Sequence, residues 1–308
     1  MKTPPTVTAG AAAVLTTALL LAAPLLAQQE NAAPQGQTAS ADEPQEEPGE
    51  ILERARENLI GLKSVRATIL ETVSIGNRRF KATGSYLQGT DMRLRLEYTV
   101  KAGGAEGSLL EVCDGTILWS QQMIGDQTRL TRRDVRQILN AAASGGNVAA
   151  NILIAELGLG GLPALLASLE RSMSFDQVER QEIDGISFVI IGGTWNDEYR
   201  QRFRTSPTSS GSDRLPDLVP DRARIYFDAE TLFPRRIQYL KERTDTELEH
   251  PLVTLDFTDV VLDAPVSDSE FQFEPPDNVY AEDVTNKYIE KLKPSAPATS
   301  APAPGPAK

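Results

Sequence analysis

The chain has 308 residues, with 31 Lys and Arg against 43 Asp and Glu, a net charge of −12, one His and one Cys. One Cys excludes an intramolecular disulfide, a CxxC redox pair and a thiolate zinc site, and one His excludes a two-histidine metal site. The acidic balance without a long basic run argues against a nucleic-acid binder, while 40% apolar residues are enough to build a core.

Residues 1–27 read as a secretory signal. Lys2 is the lone positive charge, Ala9 to Leu26 is an apolar run, and Ala27 is the residue before cleavage. Left uncleaved, residues 9–26 approach the roughly 20 residues that span a bilayer, and would anchor the chain. The expected location is therefore periplasmic or otherwise exported, and membrane-anchored without cleavage. Residues 28–49 are Gln, Pro, Glu and Ala with five acids (Glu30, Asp42, Glu43, Glu46, Glu47) and no base, a disordered acidic linker. Residues 293–308 form a Pro/Ala/Ser tail of polyproline character. The folded region is thus residues 50–292.

It opens with an amphipathic helix, Ile51, Ala55, Leu59 and Leu62 recurring at helical spacing. The period then changes to two. Val65, Ala67, Ile69, Val73 and Ile75 form one apolar set, broken by Glu71; Phe80, Ala82 and Tyr86 form the next. From Met92 to Val100 the alternation is clean, with Met92, Leu94, Leu96, Tyr98 and Val100 on one face and Arg93, Arg95, Glu97 and Thr99 on the other. Leu109–Cys113 is a strand, and Asp114-Gly115 turns it back into Thr116–Gln121. Residues 65–131 therefore predict a strand meander. Thr131–Ala143, Val148–Leu157 and Leu162–Leu169 read as helices, interrupted by Gly145-Gly146 and by Gly158, Gly160 and Gly161. This apolar middle is a buried helical cover or a mobile lid. Strands return at Phe175–Glu182, Ile186–Trp195, Arg222–Phe227, Arg235–Arg243 and Leu252–Val260, with Asp184-Gly185 as a hairpin turn and 204–220 as a polar loop.

No catalytic constellation stands out. His250 precedes Pro251 and reads as a surface or edge-strand His, with Glu249 available to orient it as a base. Cys113 beside Asp114 reads as a small buried residue rather than a thiolate. Glu46-Glu47, Asp197-Glu198, Asp213 with Asp217, and Glu282-Asp283 are acid pairs, and Trp119 and Trp195 are possible sugar platforms, but no spacing joins a pair to either. A hydrolytic or sugar-active enzyme is therefore a third reading. No catalytic residue, cofactor or metal is expected.

Three segments carry a family resemblance: the helix Ile51–Leu62 with the strand Val65–Ile75; the hairpin from Leu109 through Asp114-Gly115 to Leu118-Trp119; and the end, Val253–Val260 followed by Phe271-Gln-Phe-Glu-Pro-Pro276. Over residues 50–285 the chain resembles the periplasmic lipoprotein-carrier superfamily (LolA/LolB-like, and more distantly RseB-like). The resemblance implies a mainly β fold with α cover: an incomplete antiparallel barrel of about eleven strands packed on helices. In that pattern the segment Phe271–Pro276 closes a final strand. A Lys-Arg-Pro turn whose Arg helps hold the lid closed is replaced here by Tyr86-Leu-Gln-Gly-Thr90. The implied function is lipid binding and protein transport: an exported, non-enzymatic monomer that carries or sequesters lipid or lipoprotein acyl chains. Envelope membrane proteins would be further partners. The alternative is an RseB-like sensor or scaffold that binds a partner protein. Ile69, Val73, Phe80, Tyr86, Met92, Leu94, Leu96, Tyr98 and Trp119 are the expected cavity wall, ordinary core being the other reading of each. Ile152–Leu169 is the expected lid, with Gly158, Gly160 and Gly161 as hinge positions, or else a fixed buried helix pair.

Overall fold

The computed structural model describes residues 46–76, 78–102, 105–144, 161–204, 215–242 and 249–291. The 1–27 signal, most of the 28–49 linker, the 293–308 tail, Gly158 and Gly160 lie outside them. The described residues are mainly β. The strands are β1 (Ser64–Ile75), β2 (Arg78–Gly89), β3 (Arg93–Ala102), β4 (Ala105–Asp114), β5 (Ile117–Ile124) and β6 (Gln127–Asp134), then β7 (Met173–Ile183), β8 (Ile186–Trp195), β9 (Arg222–Asp228), β10 (Pro234–Glu242), β11 (Glu249–Leu262) and β12 (Ala281–Asp283). The helices are α1 (Pro48–Gly61), α2 (Val135–Ser144), α3 (Gly161–Ser172), α4 (Asp197–Arg204) and α5 (Thr285–Lys291).

All twelve strands join one open sheet in the order β12-β6-β5-β4-β3-β2-β1-β11-β10-β9-β8-β7. Two meanders, β1–β6 and β7–β11, meet where β1 pairs antiparallel with β11. Every pairing is antiparallel except β12 on β6. The sheet does not close, since β7 and β12 end it on opposite sides. An open antiparallel sheet with helical cover is what the resemblance implied, here with twelve strands among the described residues where about eleven were expected.

Turn chemistry sets the register locally. Asp184 and Gly185 both have positive φ, as a tight two-residue hairpin requires. Asp114 Oδ1 accepts from the backbone N–H of Thr116 and Ile117, which pins the β4–β5 turn. Between β2 and β3, Arg93 N–H donates to Thr90 O across Asp91 and Met92, both at positive φ. Met92 therefore belongs to a turn rather than to the strand expected to begin there.

Two further expectations are corrected. Thr131–Asp134 is strand, not helix: it pairs with β5 on one side and with β12 on the other. The helix starts after it, where Asp134 Oδ1 accepts from Gln137 N–H. The segment that begins at Phe271 is not a closing strand. Asp268–Phe271 is a short 3-10 helix with a Ser267/Glu270 capping box, and the chain beyond it runs without regular structure to β12. Asp197 and Glu198, one of the acid pairs noted in the sequence, stand in the first turn of helix α4.

One face of the sheet carries the core. Ile51, Leu52, Ala55 and Leu59 of α1, Val135 and Ile138 of α2, and Leu162, Leu166 and Leu169 of α3 pack into the same buried cluster as Ile69, Leu96, Ile191, Ile225 and Ile237 of the sheet. The helices thus cover the inner face, at roughly 25 cal/mol per Å² of apolar surface removed from water.

Candidate functional site

The inner face is read off the registers. Ala67, Tyr86, Leu96, Glu111 and Ser120 stand opposite one another across β1 to β5. Residues two apart share a face, so Ile69, Glu71, Val73, Leu94 and Tyr98 point the same way as this row. Ile69, Val73, Tyr86, Leu94, Leu96 and Tyr98 are all buried in the helix-covered cluster, and Phe80 and Met92 are half-buried against it. The structure therefore brings eight of the nine expected wall residues onto one side.

Trp119 is the exception. It pairs with Val112, and Val112 with Arg95, which places it on the outer face. There it packs against Phe273 at 5.4 Å between ring centroids. Beside it Phe271 is buried at 1% exposure under the Arg93 guanidinium, 5.3 Å from the ring. The physical reason is phase: Leu118 already occupies the inward position of β5, so its neighbour must point out. The Phe271–Phe273 segment is an outer patch that shields Trp119.

Tyr86 ties the sheet to the helical cover. Its hydroxyl accepts from the backbone N–H of Leu162, 2.9 Å away, and donates to Gln88 Oε1. Leu162 is the second residue of α3, so the contact satisfies one of the free N–H groups at that helix start. Gly161, at φ +62, opens the helix, and a Cβ there would lie 2.3 Å from the Tyr86 hydroxyl. Of the three expected hinge glycines, this one therefore has a defined place: it lets α3 begin directly against Tyr86. Burial pushes the Tyr86 hydroxyl well above the usual tyrosine range, partly offset by the Leu162 N–H.

The polar groups of this face were not assigned roles from the sequence. Glu71 is 3% exposed and its Oε1 has no hydrogen-bond partner among the described residues. Burial pushes its carboxyl up to about 8. Tyr98 is pushed higher than usual by burial first and then by the nearby Glu71 and Tyr86. Glu111 reaches Arg133 at 3.2 Å, a buried ion pair, and the Arg133 guanidinium lies over the Tyr288 ring of α5. The signal for Glu71 was present in the sequence: it sits in phase with Val65, Ala67, Ile69 and Val73. Cys113, also inward, is buried and its thiol is pushed up to about 11, mainly by burial. His250 lies in β11 opposite Lys241 and is half-exposed.

No family model matches the chain, and no curated protein matches it. Among solved structures it is similar to a chain of the MucA/MucB complex of Pseudomonas aeruginosa, at 12% identity and a TM-score of 0.35, over 73% of this chain. It spans 60% of that chain's length. It is similar to LprF from Mycobacterium bovis at 14% identity and a TM-score of 0.35, covering 71% of this chain and 94% of the other. It is similar, too, to a LolA superfamily protein from Nitrosomonas europaea, at 10% identity and a TM-score of 0.29, covering 74% and 98%.

Proposed function

We propose that this chain is an exported, non-enzymatic binding protein that carries or sequesters lipid or lipoprotein acyl chains between the inner sheet face and its helical cover. One observation supports this reading above the others. The inner face is largely apolar across both meanders, yet its cover is a set of short helices, and α3 is fastened at its start by a hydrogen bond to Tyr86. A cover built this way can lift. Gly161, with Gly158 and Gly160 before it in the sequence, is the hinge we assign. An acyl chain entering between cover and sheet gains about 0.8 kcal/mol per buried CH₂, and no covalent chemistry is needed. Export follows from reading residues 1–27 as a signal segment, and periplasmic transport of lipid or lipoprotein would be the setting.

Native mass spectrometry of the protein, purified without detergent from the envelope of the cell that makes it, tests the proposal. Lipid or lipoprotein released on activation is the expected result. A mass equal to the bare polypeptide in every preparation, together with no uptake of added fatty acyl probes, would overturn it.

A further inference from the structure

Resting on the acyl-chain reading, we infer that Glu71 is the polar anchor of the site, donating a hydrogen bond to the ester or amide carbonyl at the root of a bound acyl chain. The argument begins from position. Glu71 lies on β1, opposite Ala82 of β2 and Leu255 of β11, both apolar. Ile69 and Val73 flank it on its own strand, and all four neighbours belong to the helix-covered cluster. A carboxyl in such a place loses its water, and leaving it without a partner is costly. Buried polar groups are nearly always satisfied, so an orphan needs an explanation.

The other buried acid on this face supplies the contrast. Glu111 Oε1 is paired with the Arg133 guanidinium, although its Oε2, like Glu71 Oε1, has no hydrogen bond among the described residues. Among the described residues Glu71 has neither an ion pair nor, at its fully enclosed Oε1, a hydrogen bond. Being pushed up to about 8, it stands as a neutral acid at neutral pH. A neutral carboxyl is a hydrogen-bond donor. The complementary ligand group is an uncharged acceptor attached to an apolar chain, which is what an ester or amide carbonyl is. A free fatty-acid carboxylate would have to leave water as an anion with no cation paired to Glu71 among the described residues to meet it, and is disfavoured. The site should therefore prefer linked acyl chains, whose carbonyl reaches Glu71, both over free fatty acids and over a bare hydrocarbon.

The probes are palmitic acid methyl ester, standing for an ester-linked glycerolipid, N-methyl palmitamide, standing for an N-acylated polypeptide terminus, and hexadecane. Binding of each to the full chain and to Glu71→Leu is measured by displacement of a fluorescent fatty-acyl reporter at neutral pH. In the wild-type protein one or both carbonyl probes should bind about threefold to tenfold tighter than hexadecane, the scale of one net hydrogen bond. In Glu71→Leu that preference should vanish while hexadecane binds at least as well as before. Which carbonyl probe shows the larger preference identifies the source of the ligand. As a second readout needing no variant, the carbonyl infrared band of the bound ester should move to lower frequency than in hexadecane solution. Binding of all probes with the carbonyl preference intact in Glu71→Leu, or with an unshifted ester band, would overturn the role of Glu71 and leave the acyl-chain reading standing. Failure of every probe, hexadecane included, to bind the wild-type protein would overturn both.

Discussion

The Tyr86 hydroxyl occupies the space that a side chain at Gly161 would fill, with 2.3 Å between it and a Cβ built there. One residue on, it accepts the Leu162 N–H. A strand on the sheet and the first turn of its cover are thus joined by a glycine and a phenol that each require the other. Gly161→Ala meets both a left-handed φ of +62 and this contact. It should cost about 1–3 kcal/mol in chemical denaturation. Tyr86→Phe strands the Leu162 N–H and should cost a similar amount, with faster amide exchange at Leu162 in both variants. Unchanged exchange would show that α3 is held by other contacts.

Glu71 makes stability depend on pH with a predictable sign. Its folded carboxyl titrates near 8 and its unfolded one near 4.5, so the folded state holds a proton the unfolded state has released. The stabilising difference is complete below about 4.5 and is lost as pH rises to about 8, at roughly 1.4 kcal/mol per pH unit. Denaturation midpoints from pH 5 to 8 should fall for the wild-type protein and fall less for Glu71→Gln. Parallel curves would mean that Glu71 ionises in the folded state as it does in water.

Gly84 marks a close approach of β2 and β3. A Cβ there would sit 1.8 Å from the Glu97 carbonyl oxygen, and backbone cannot swing aside as a side chain can. Gly84→Ala should destabilise by about 2–3 kcal/mol, the scale of overpacking in a core. A denaturation midpoint equal to wild type would show that the two strands can part without loss.

Lys241 is 3% exposed, and its ammonium is fully engaged. Nζ donates to the carbonyls of Leu215 and Val219 and to Asp221 Oδ1, at 2.9–3.0 Å. This cage, with the Trp195 indole N–H on Pro220 O at 2.6 Å, fastens residues 215–221 to β8 and β10. Lys241→Met should cost about 2–4 kcal/mol, because it leaves Asp221 and two carbonyls short of a charged donor. It should also speed proteolytic cutting within 215–221; a digestion pattern like wild type would place the anchorage elsewhere.

Much of the fold was legible because its signals are local. The alternation from Leu94 to Val100 and the Asp-Gly pairs at 114–115 and 184–185 each act over a few residues, and each appears where expected. The boundary of β6 was not legible. Thr131–Asp134 runs on into helical periodicity, and only pairing with β5 and with the distant β12 makes it strand.

The sequence alone determined that Leu118 and Trp119 face opposite ways, since period two is a property of the extended backbone. It could not say which faces inward, because both are apolar. That was decided when Phe273 returned, far along the chain, to cover Trp119 from outside. The same division holds at Glu71. The sequence placed it in phase with an apolar stripe, and only the packed helices and the β11 partner made that position dry. Strand phase is set by bonds along the chain, whereas burial is set by neighbours that the chain supplies from elsewhere.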